Sequence, residues 1–94
     1  MRVLDTSAFI HEYTTDDPVV SVPEVHDELS GETALRFDAM EGSGMTIHVP
    51  APEAVTNVQR AARGSGDAAE LSETDVRLIA TALELDATLV TDDY

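Results

Sequence analysis

Acidic residues that follow short apolar segments are the first candidates for chemistry in this chain. Asp5 comes directly after the apolar pair at 3–4, and Asp92 and Asp93 follow the segment 88–90 after one threonine. In open parallel α/β sheets, residues at the carboxyl ends of the strands meet at one edge. The spacing therefore predicts that these carboxylates, which are far apart in the sequence, lie close together.

Two acidic residues on predicted helices can reach the same edge. Asp75 lies in the first turn of a helix that Ser72 caps, and Glu28 lies about a turn and a half into the helix after the second strand. Helices that follow parallel strands begin at the carboxyl edge of the sheet. Two choices remain open, because Glu24 could replace Glu28 and either terminal aspartate could be the fourth acid.

A gathering of carboxylates has a chemical consequence. Several carboxylates within a few ångströms repel one another, so that some take up a proton unless a cation lies between them. Oxygen ligands suit Mg²⁺ or Mn²⁺. Such a metal lowers the pKa of a bound water and polarises a phosphoryl oxygen, and two metals can clamp a phosphodiester. The sequence contains no Walker loop or dinucleotide-binding glycine motif that would favour another chemistry.

Each of these acids also has a structural interpretation. Asp5 could cap the turn after its strand. Asp75 could complete a capping box with Ser72, a role that is compatible with binding a metal. Glu28 and the two terminal aspartates could be no more than solvated charge.

The charge balance is extreme. The chain has 5 Lys+Arg residues against 19 Asp+Glu, for a net charge of −14, and every cation is an arginine. An acidic, lysine-free composition favours a protein adapted to high salt, where a Debye length of roughly 3 Å at 1 M screens self-repulsion. An acidic interaction module is the alternative. Arg60 and Arg63 lie one helical turn apart and are predicted to contact phosphate, with simple surface charge balance as the alternative.

Several classes of protein are disfavoured by the composition. No cysteine is present, so the chain has no disulfide framework and no cysteine-built zinc site. No apolar run approaches the roughly 18 residues that cross a membrane, and no signal-peptide pattern is present. We therefore expect a cytoplasmic protein with a single modest core.

Alternating strands and helices position the acidic residues. We predict strands at 2–4, 19–22, 45–49 and 88–90, and helices at 8–13, 23–29, 32–40, from 52 to the glycines near 64–66, and 73–85. This order is typical of an α/β fold with a parallel four-stranded sheet and helices on both faces. The inward-facing helix residues are predicted to be Leu35, Phe37, Met40, Val55, Val58, Ala61, Ala62, Val76, Ile79, Ala80 and Leu83.

Four segments of the sequence resemble the PIN-domain nucleases. They are Val-Leu-Asp-Thr-Ser at 3–7, Val-Pro-Glu-Val-His-Asp-Glu-Leu at 22–29, Leu-Ser-Glu-Thr-Asp at 71–75 and Leu-Val-Thr-Asp-Asp-Tyr at 89–94. Within that family they are most similar to the archaeal Nob-type endoribonucleases, which trim the 3′ end of small-subunit ribosomal RNA. The resemblance implies a PIN-like three-layer sandwich and hydrolysis of single-stranded RNA with a divalent metal.

The resemblance also implies a role for each matching residue. The catalytic acids would be Asp5, Glu28, Asp75 and Asp93. The metal ligands would be Asp5, Asp75, Asp92 and Asp93. The supporting hydroxyl groups would come from Thr6, Ser7 and Thr91. The implied partners are precursor small-subunit ribosomal RNA and the pre-ribosomal small subunit, and a homodimer is left open.

Two other functions remain as alternatives. The first is a toxin-type PIN ribonuclease of the VapC kind, with the same chemistry and another target. The second is an inactive truncated PIN domain that serves as an interaction module. Nob-type proteins continue with a helix, often another strand, and a cysteine-rich zinc ribbon. Residues 1–94 are therefore expected to form one PIN-like nuclease domain with a truncated sheet, incomplete at its carboxyl end.

Overall fold

Strands and helices alternate along the chain in the computed structural model, which describes residues 1–66 and 71–91. The strands are β1 (Arg2–Leu4), β2 (Val19–Ser21), β3 (Thr46–Ile47) and β4 (Thr88–Val90). The helices are α1 (Thr6–Ile10), α2 (Pro23–Glu28), α3 (Gly31–Gly42), α4 (Pro52–Ser65) and α5 (Glu73–Leu85).

The four strands form one parallel sheet in the order β3-β2-β1-β4. The first strand is central, with Val3 opposite Val20 on one side and Leu4 opposite Val90 on the other. Because all four strands run in the same direction, their carboxyl ends share one edge of the sheet. We refer to this edge, where Asp5 follows β1, as the carboxyl edge.

Helices cover the sheet on both faces. Consecutive strand residues point to opposite faces, and both Val3 and Leu4 are fully buried, with exposures of 0% and 1%. Val20 and Ser21 are equally buried in the neighbouring strand, where Ser21 Oγ donates to the Leu4 carbonyl at 2.9 Å. The predicted α/β architecture is therefore confirmed.

Helix α5 lies between the sheet and α4. Its residue Leu78 belongs to the main core around the sheet, whereas Val76 and Ala80 form a second cluster with Val58 of α4. Burial on two sides explains why one inward stripe does not describe this helix. Leu83, predicted to face inward, is 71% exposed.

Two other predicted inward residues are also wrong. Leu35 is 67% exposed, while Phe37 on the same helix is buried against the Phe9 ring at a centroid distance of 5.1 Å. Ala61 is exposed, while the adjacent Ala62 is buried. A helix residue two positions from a buried one points to the other side, so α3 buries Phe37 and leaves Leu35 in solvent.

Several element ends differ from the prediction for local reasons. Helix α1 begins at Thr6, earlier than predicted, because Asp5 caps it, and it ends at Ile10, shortly before Glu12 adopts a positive φ of 55°. Strand β3 has only two residues, Thr46–Ile47, instead of the predicted five. The chain reaches Pro50 soon afterwards, and this proline cannot extend the strand because it has no N–H to donate to the neighbouring strand.

Candidate active site

The carboxyl edge brings the ends of β1 and β4 together. Leu4 pairs with Val90, and the Asp5 N–H points to the Val90 carbonyl at 3.4 Å. Asp5 and the exposed Thr91 therefore leave the sheet from adjacent strands. The chain leaves β2 at the same edge and enters α2 at Pro23.

Asp5 is half-buried and held by two hydrogen bonds to one oxygen. Its Oδ1 accepts from Ser7 Oγ at 2.7 Å and from the Ala8 N–H at 3.1 Å. The second bond makes Asp5 the N-cap of α1. The capping role considered from the sequence is therefore real. In the described part of the chain Oδ2 accepts no hydrogen bond, so one oxygen of this carboxylate is available to a ligand.

Thr6 links Glu28 to the turn that begins at Asp5. Thr6 Oγ1 donates to Glu28 Oε1 at 3.1 Å, and Thr6 is the residue directly after Asp5. This contact joins the end of α2 to the start of α1. The exposed Glu28 carboxylate is thereby placed beside the Asp5 turn.

Glu24, the alternative to Glu28, has a different environment. Its Oε2 lies 3.5 Å from Arg77 Nε, and its Oε1 is buried without a hydrogen-bond partner among residues 1–66 and 71–91. This ion pair ties the first turn of α2 to the second turn of α5. The geometry favours Glu28 as the neighbour of Asp5 and gives Glu24 a part in joining the two helices.

Asp75 lies in a complete capping box at the start of α5. The Ser72 N–H donates to Asp75 Oδ2 at 3.2 Å, and the Asp75 N–H donates to Ser72 Oγ at 3.0 Å. Helix α5 ends just before β4 begins, so it runs antiparallel to that strand. Its first turn, which contains Asp75, therefore lies on the side of the carboxyl edge. The contact of Arg77 with Glu24, in the first turn of α2, supports the same placement.

The structure brings together some of the predicted acids. Asp5 and Glu28 meet through Thr6, while Asp75 is held by Ser72. Among the described residues no three His, Asp or Glu side chains are placed to hold a metal ion together. Asp92 and Asp93 lie outside the described residues, so the gathering of four acids stays a prediction.

The charges around Asp5 and Glu28 are uncompensated. No arginine or histidine of the described chain pairs with Asp5, Glu28 or Asp75, whereas carboxylates elsewhere do form ion pairs, as Glu12 does with Arg36 and Asp17 with Arg2. Asp5 and Glu28 each keep one carboxylate oxygen that accepts no hydrogen bond from residues 1–66 and 71–91, and Thr6 links the two. Carboxylates with no cationic side chain beside them suit a hard divalent cation. The donor set therefore fits Mg²⁺ or Mn²⁺.

Arg60 and Arg63 lie in the second half of α4. Both are exposed, and neither makes an ion pair or a hydrogen bond in the portion of the chain that the structure describes. Arg63 borders a cavity between α4 and α5. The structure does not bring these two residues together with Asp5 and Glu28.

The contacts that organise this edge have no signal in the sequence. The bridge from Thr6 to Glu28 and the ion pair of Arg77 with Glu24 join residues more than twenty positions apart. The order of the four acidic segments predicted that acids gather at the carboxyl edge, but no local pattern shows which acid pairs with which partner.

None of the helices in residues 1–66 and 71–91 combines the length and apolar character of a membrane span.

Comparisons with known proteins agree with this architecture. The family described as "PIN domain of ribonuclease" matches residues 2–85. The chain is 33% identical over 99 residues to "Endoribonuclease Nob1" of Archaeoglobus fulgidus, covering all of this chain and 58% of that protein. It is 33% identical over 100 residues to "Endoribonuclease Nob1" of Methanocaldococcus jannaschii, covering all of this chain and 48% of that protein.

A eukaryotic relative is also similar. "20S-pre-rRNA D-site endonuclease nob1" of Schizosaccharomyces pombe is 31% identical over 88 residues, which are 89% of this chain and 23% of that protein. The chain thus spans roughly half to three fifths of the length of the archaeal relatives and less of the yeast one. The resemblance found in the four sequence segments is confirmed, and the chain belongs to the PIN-domain family.

Proposed function

We propose that this chain is the nuclease domain of a metal-dependent endoribonuclease that hydrolyses single-stranded RNA in 3′-end maturation of small-subunit ribosomal RNA. The observation that carries the proposal is the pair of uncompensated carboxylates, Asp5 and Glu28, joined by Thr6 at the carboxyl edge. The names of the archaeal relatives and of the yeast 20S-pre-rRNA endonuclease support the choice of reaction and substrate.

The residues of the edge would hold Mg²⁺ or Mn²⁺. Asp5 would offer Oδ2, since Oδ1 is engaged by Ser7 and the Ala8 N–H. Glu28 would offer Oε2, since Oε1 is engaged by Thr6. Asp75 and Asp92 or Asp93 would complete the site, with Thr91 in support. When bound, the metal supplies an activated water and polarises the phosphoryl oxygen.

The chain's own contribution is preorganisation. Hydrogen bonds from Ser7 and Thr6 fix the two carboxylates before substrate arrives, which lowers the cost of assembling the site. Arg60 and Arg63 would bind RNA phosphates. In a chain of net charge −14 they are the cations on a helix whose range contains only one acid, Glu53.

The proposal includes two macromolecular partners, which are the pre-ribosomal small subunit and a second copy of the chain. An acidic, lysine-free composition supports work in a high-salt archaeal cytoplasm.

Cleavage of a defined RNA tests the proposal. A single-stranded RNA that spans the mature 3′ end of the small-subunit RNA is incubated with the chain in high KCl, with Mn²⁺ or with a chelator. We expect metal-dependent cleavage at one position, lost in Asp5→Asn. Glu53→Gln should cleave like the wild type, because Glu53 is exposed in the first turn of α4, and the residue before that helix, Ala51, bonds Glu84 near the far end of α5 from Asp75.

The two alternative functions predict other results. Equal cleavage of unrelated single-stranded RNAs, with growth arrest on expression, would point to a toxin-type nuclease. Absence of both Mn²⁺ binding and cleavage would point to an interaction module.

A further inference from the structure

A cavity of about 220 Å³ lies between α4 and α5, outside the carboxylate pair. We refer to it as the α4–α5 cavity. The residues that line it are Gln59, Ala62, Arg63, Leu71, Glu73 and Val76.

The walls of the α4–α5 cavity divide into an apolar floor and a polar rim. Ala62 and Val76 are buried, at 7% and 6% exposure, and Leu71 is half-buried beside them. Gln59 and Arg63 are exposed and supply an amide and a guanidinium. An apolar floor edged by hydrogen-bonding groups suits a heterocyclic base, which has apolar faces and a polar perimeter.

The lining residue Glu73 sets the position of the cavity along α5. It is the first residue of the helix, two positions before Asp75. At 1.5 Å of rise per residue, Glu73 and Asp75 lie about 3 Å apart along the helix axis, but residues two positions apart point to different sides of a helix. The cavity and Asp75 therefore flank the first turn of α5 on different sides, and a strand of RNA that crosses this turn would contact both.

The arginines of the chain differ in whether they pair with a carboxylate. Arg2, Arg36 and Arg77 each pair with a carboxylate, at 2.7, 2.8 and 3.5 Å. Arg63 has no such partner in residues 1–66 and 71–91, although acids outnumber cations 19 to 5. A cation near the end of a helix is favoured by the helix dipole, but the dipole does not account for a cavity beside it.

We propose that the α4–α5 cavity binds one nucleobase of single-stranded RNA, with Arg63 on an adjoining phosphate and Gln59 on the polar edge of the base. The inference rests on the proposed function, since it takes RNA as the substrate. Sequence-tolerant binding of single strands relies on groups that hold unstacked bases together with cations on the backbone. The Glu73 carboxylate on the rim would accept from an amino group of the base and repel a phosphate placed on its side.

The phosphate contact is tested by the salt dependence of binding. A fluorescently labelled single-stranded RNA is titrated with the chain in chelator, so that no cleavage occurs, over a range of KCl concentrations. Loss of one phosphate contact reduces the slope of log affinity against log salt by about 0.7 for a single strand. We expect this reduction for Arg63→Gln, and recovery of the slope in Arg63→Lys.

The matched control is Arg2→Gln. It removes the same charge at the start of β1, at the opposite edge of the sheet from Asp5. Its slope should equal that of the wild type. Equal slopes for Arg63→Gln and Arg2→Gln would overturn the phosphate contact.

The base contact is tested with a set of RNAs that each lack one base. We expect wild-type affinity to fall about 5-fold or more at one position, because the missing base no longer buries its apolar faces on Ala62, Leu71 and Val76 or makes hydrogen bonds at its edge. In Gln59→Ala this loss should shrink at that position. Asn57→Ala, also exposed on α4, should behave like the wild type. No sensitive position, or an equal loss in all three proteins, would overturn the base site.

The cleavage assay separates this inference from the proposed function. If RNA binds with the expected pattern but is not cleaved with Mn²⁺, the base site stands and the nuclease assignment falls. If RNA is cleaved while Arg63→Gln and Gln59→Ala bind like their controls, the nuclease assignment stands and the base site falls.

Discussion

Asp5 combines two tasks that its substitutions can separate. Its Oδ1 caps α1, while its Oδ2 remains free for a ligand among the described residues. Asparagine caps helices about as well as aspartate does, whereas alanine does not. The structural and functional contributions of this residue therefore respond differently to the two changes.

We predict that Asp5→Asn keeps the metal-free stability and loses cleavage. The asparagine Oδ1 can still accept from the Ala8 N–H, but its amide is a poor replacement for a carboxylate ligand. Asp5→Ala should lose cleavage too, and in addition about 0.5–2 kcal/mol of the free energy of unfolding. Urea denaturation in chelator measures the stability. Equal destabilisation by both variants would contradict the separation.

The hydrogen bonds of the Glu84 carboxylate make a contribution to stability that depends on pH. A hydrogen bond with His48 at 3.1 Å and one from the Ala51 N–H at 3.2 Å hold the pKa of Glu84 below its ordinary value of 4.5. A carboxyl group with a lowered folded-state pKa contributes stability that is present above its ordinary pKa. That contribution is lost as the pH falls through the lower folded-state value.

The prediction is checked by melting temperatures of the wild type and Glu84→Gln from neutral pH down to acid. The variant keeps an acceptor for Ala51 but does not titrate, so its melting temperature should fall less below pH 4.5. Asp17, whose pKa is lowered by Arg2, titrates in both proteins and cancels in the difference. Parallel pH curves for the two proteins would rule out a contribution from Glu84.

At the scale of elements, the capping box of α5 matters most for the site. Ser72 and Asp75 satisfy each other's backbone N–H groups and fix the first turn of the helix. We predict that Ser72→Ala lowers the free energy of unfolding by about 1 kcal/mol, because the Asp75 N–H loses its acceptor Ser72 Oγ. Cleavage should also slow, because the first turn of α5, which carries Asp75, is then less firmly fixed. Ser72→Thr should restore both. Loss of stability without any change in cleavage would show that the Ser72 hydroxyl does not position Asp75 for the reaction.

Elements with strong local signals were predictable from the sequence. The bounds of α5 and β4 agree with the prediction, because Ser72 is a good cap and 88–90 is a compact apolar run. The buried side of α5 was not predictable, since Leu78 faces the sheet and Val76 faces α4. A single helical period cannot describe a helix packed on two sides. The bridge from Thr6 to Glu28 depends on tertiary placement and has no local signal.

At the scale of the whole molecule, charge dominates. With a net charge of −14 on 94 residues, self-repulsion opposes the folded state in dilute buffer. The parallel direction of the strands, by contrast, followed from the alternation of elements, whereas their order, with β1 between β2 and β4, required the structure.

We predict that the melting temperature rises with KCl concentration. The triple variant Asp16→Asn, Asp27→Asn, Glu41→Gln removes three exposed acids that form no ion pair in the described chain and do not lie in the first turn of a helix. It should melt higher than the wild type in dilute buffer and differ less at about 1 M salt, where screening is strong. A melting temperature independent of salt in both proteins would refute the role of self-repulsion.

If the separated acids bind a divalent cation at the carboxyl edge, Mn²⁺ must raise the melting temperature of the chain in high KCl. A metal that binds only the folded state stabilises it by about 2.7 kcal/mol at 100 times its Kd. We expect a clear upward shift for the wild type and Glu53→Gln, and none for Asp5→Asn. An equal shift in all three proteins, or no shift in the wild type, would refute metal binding at this edge.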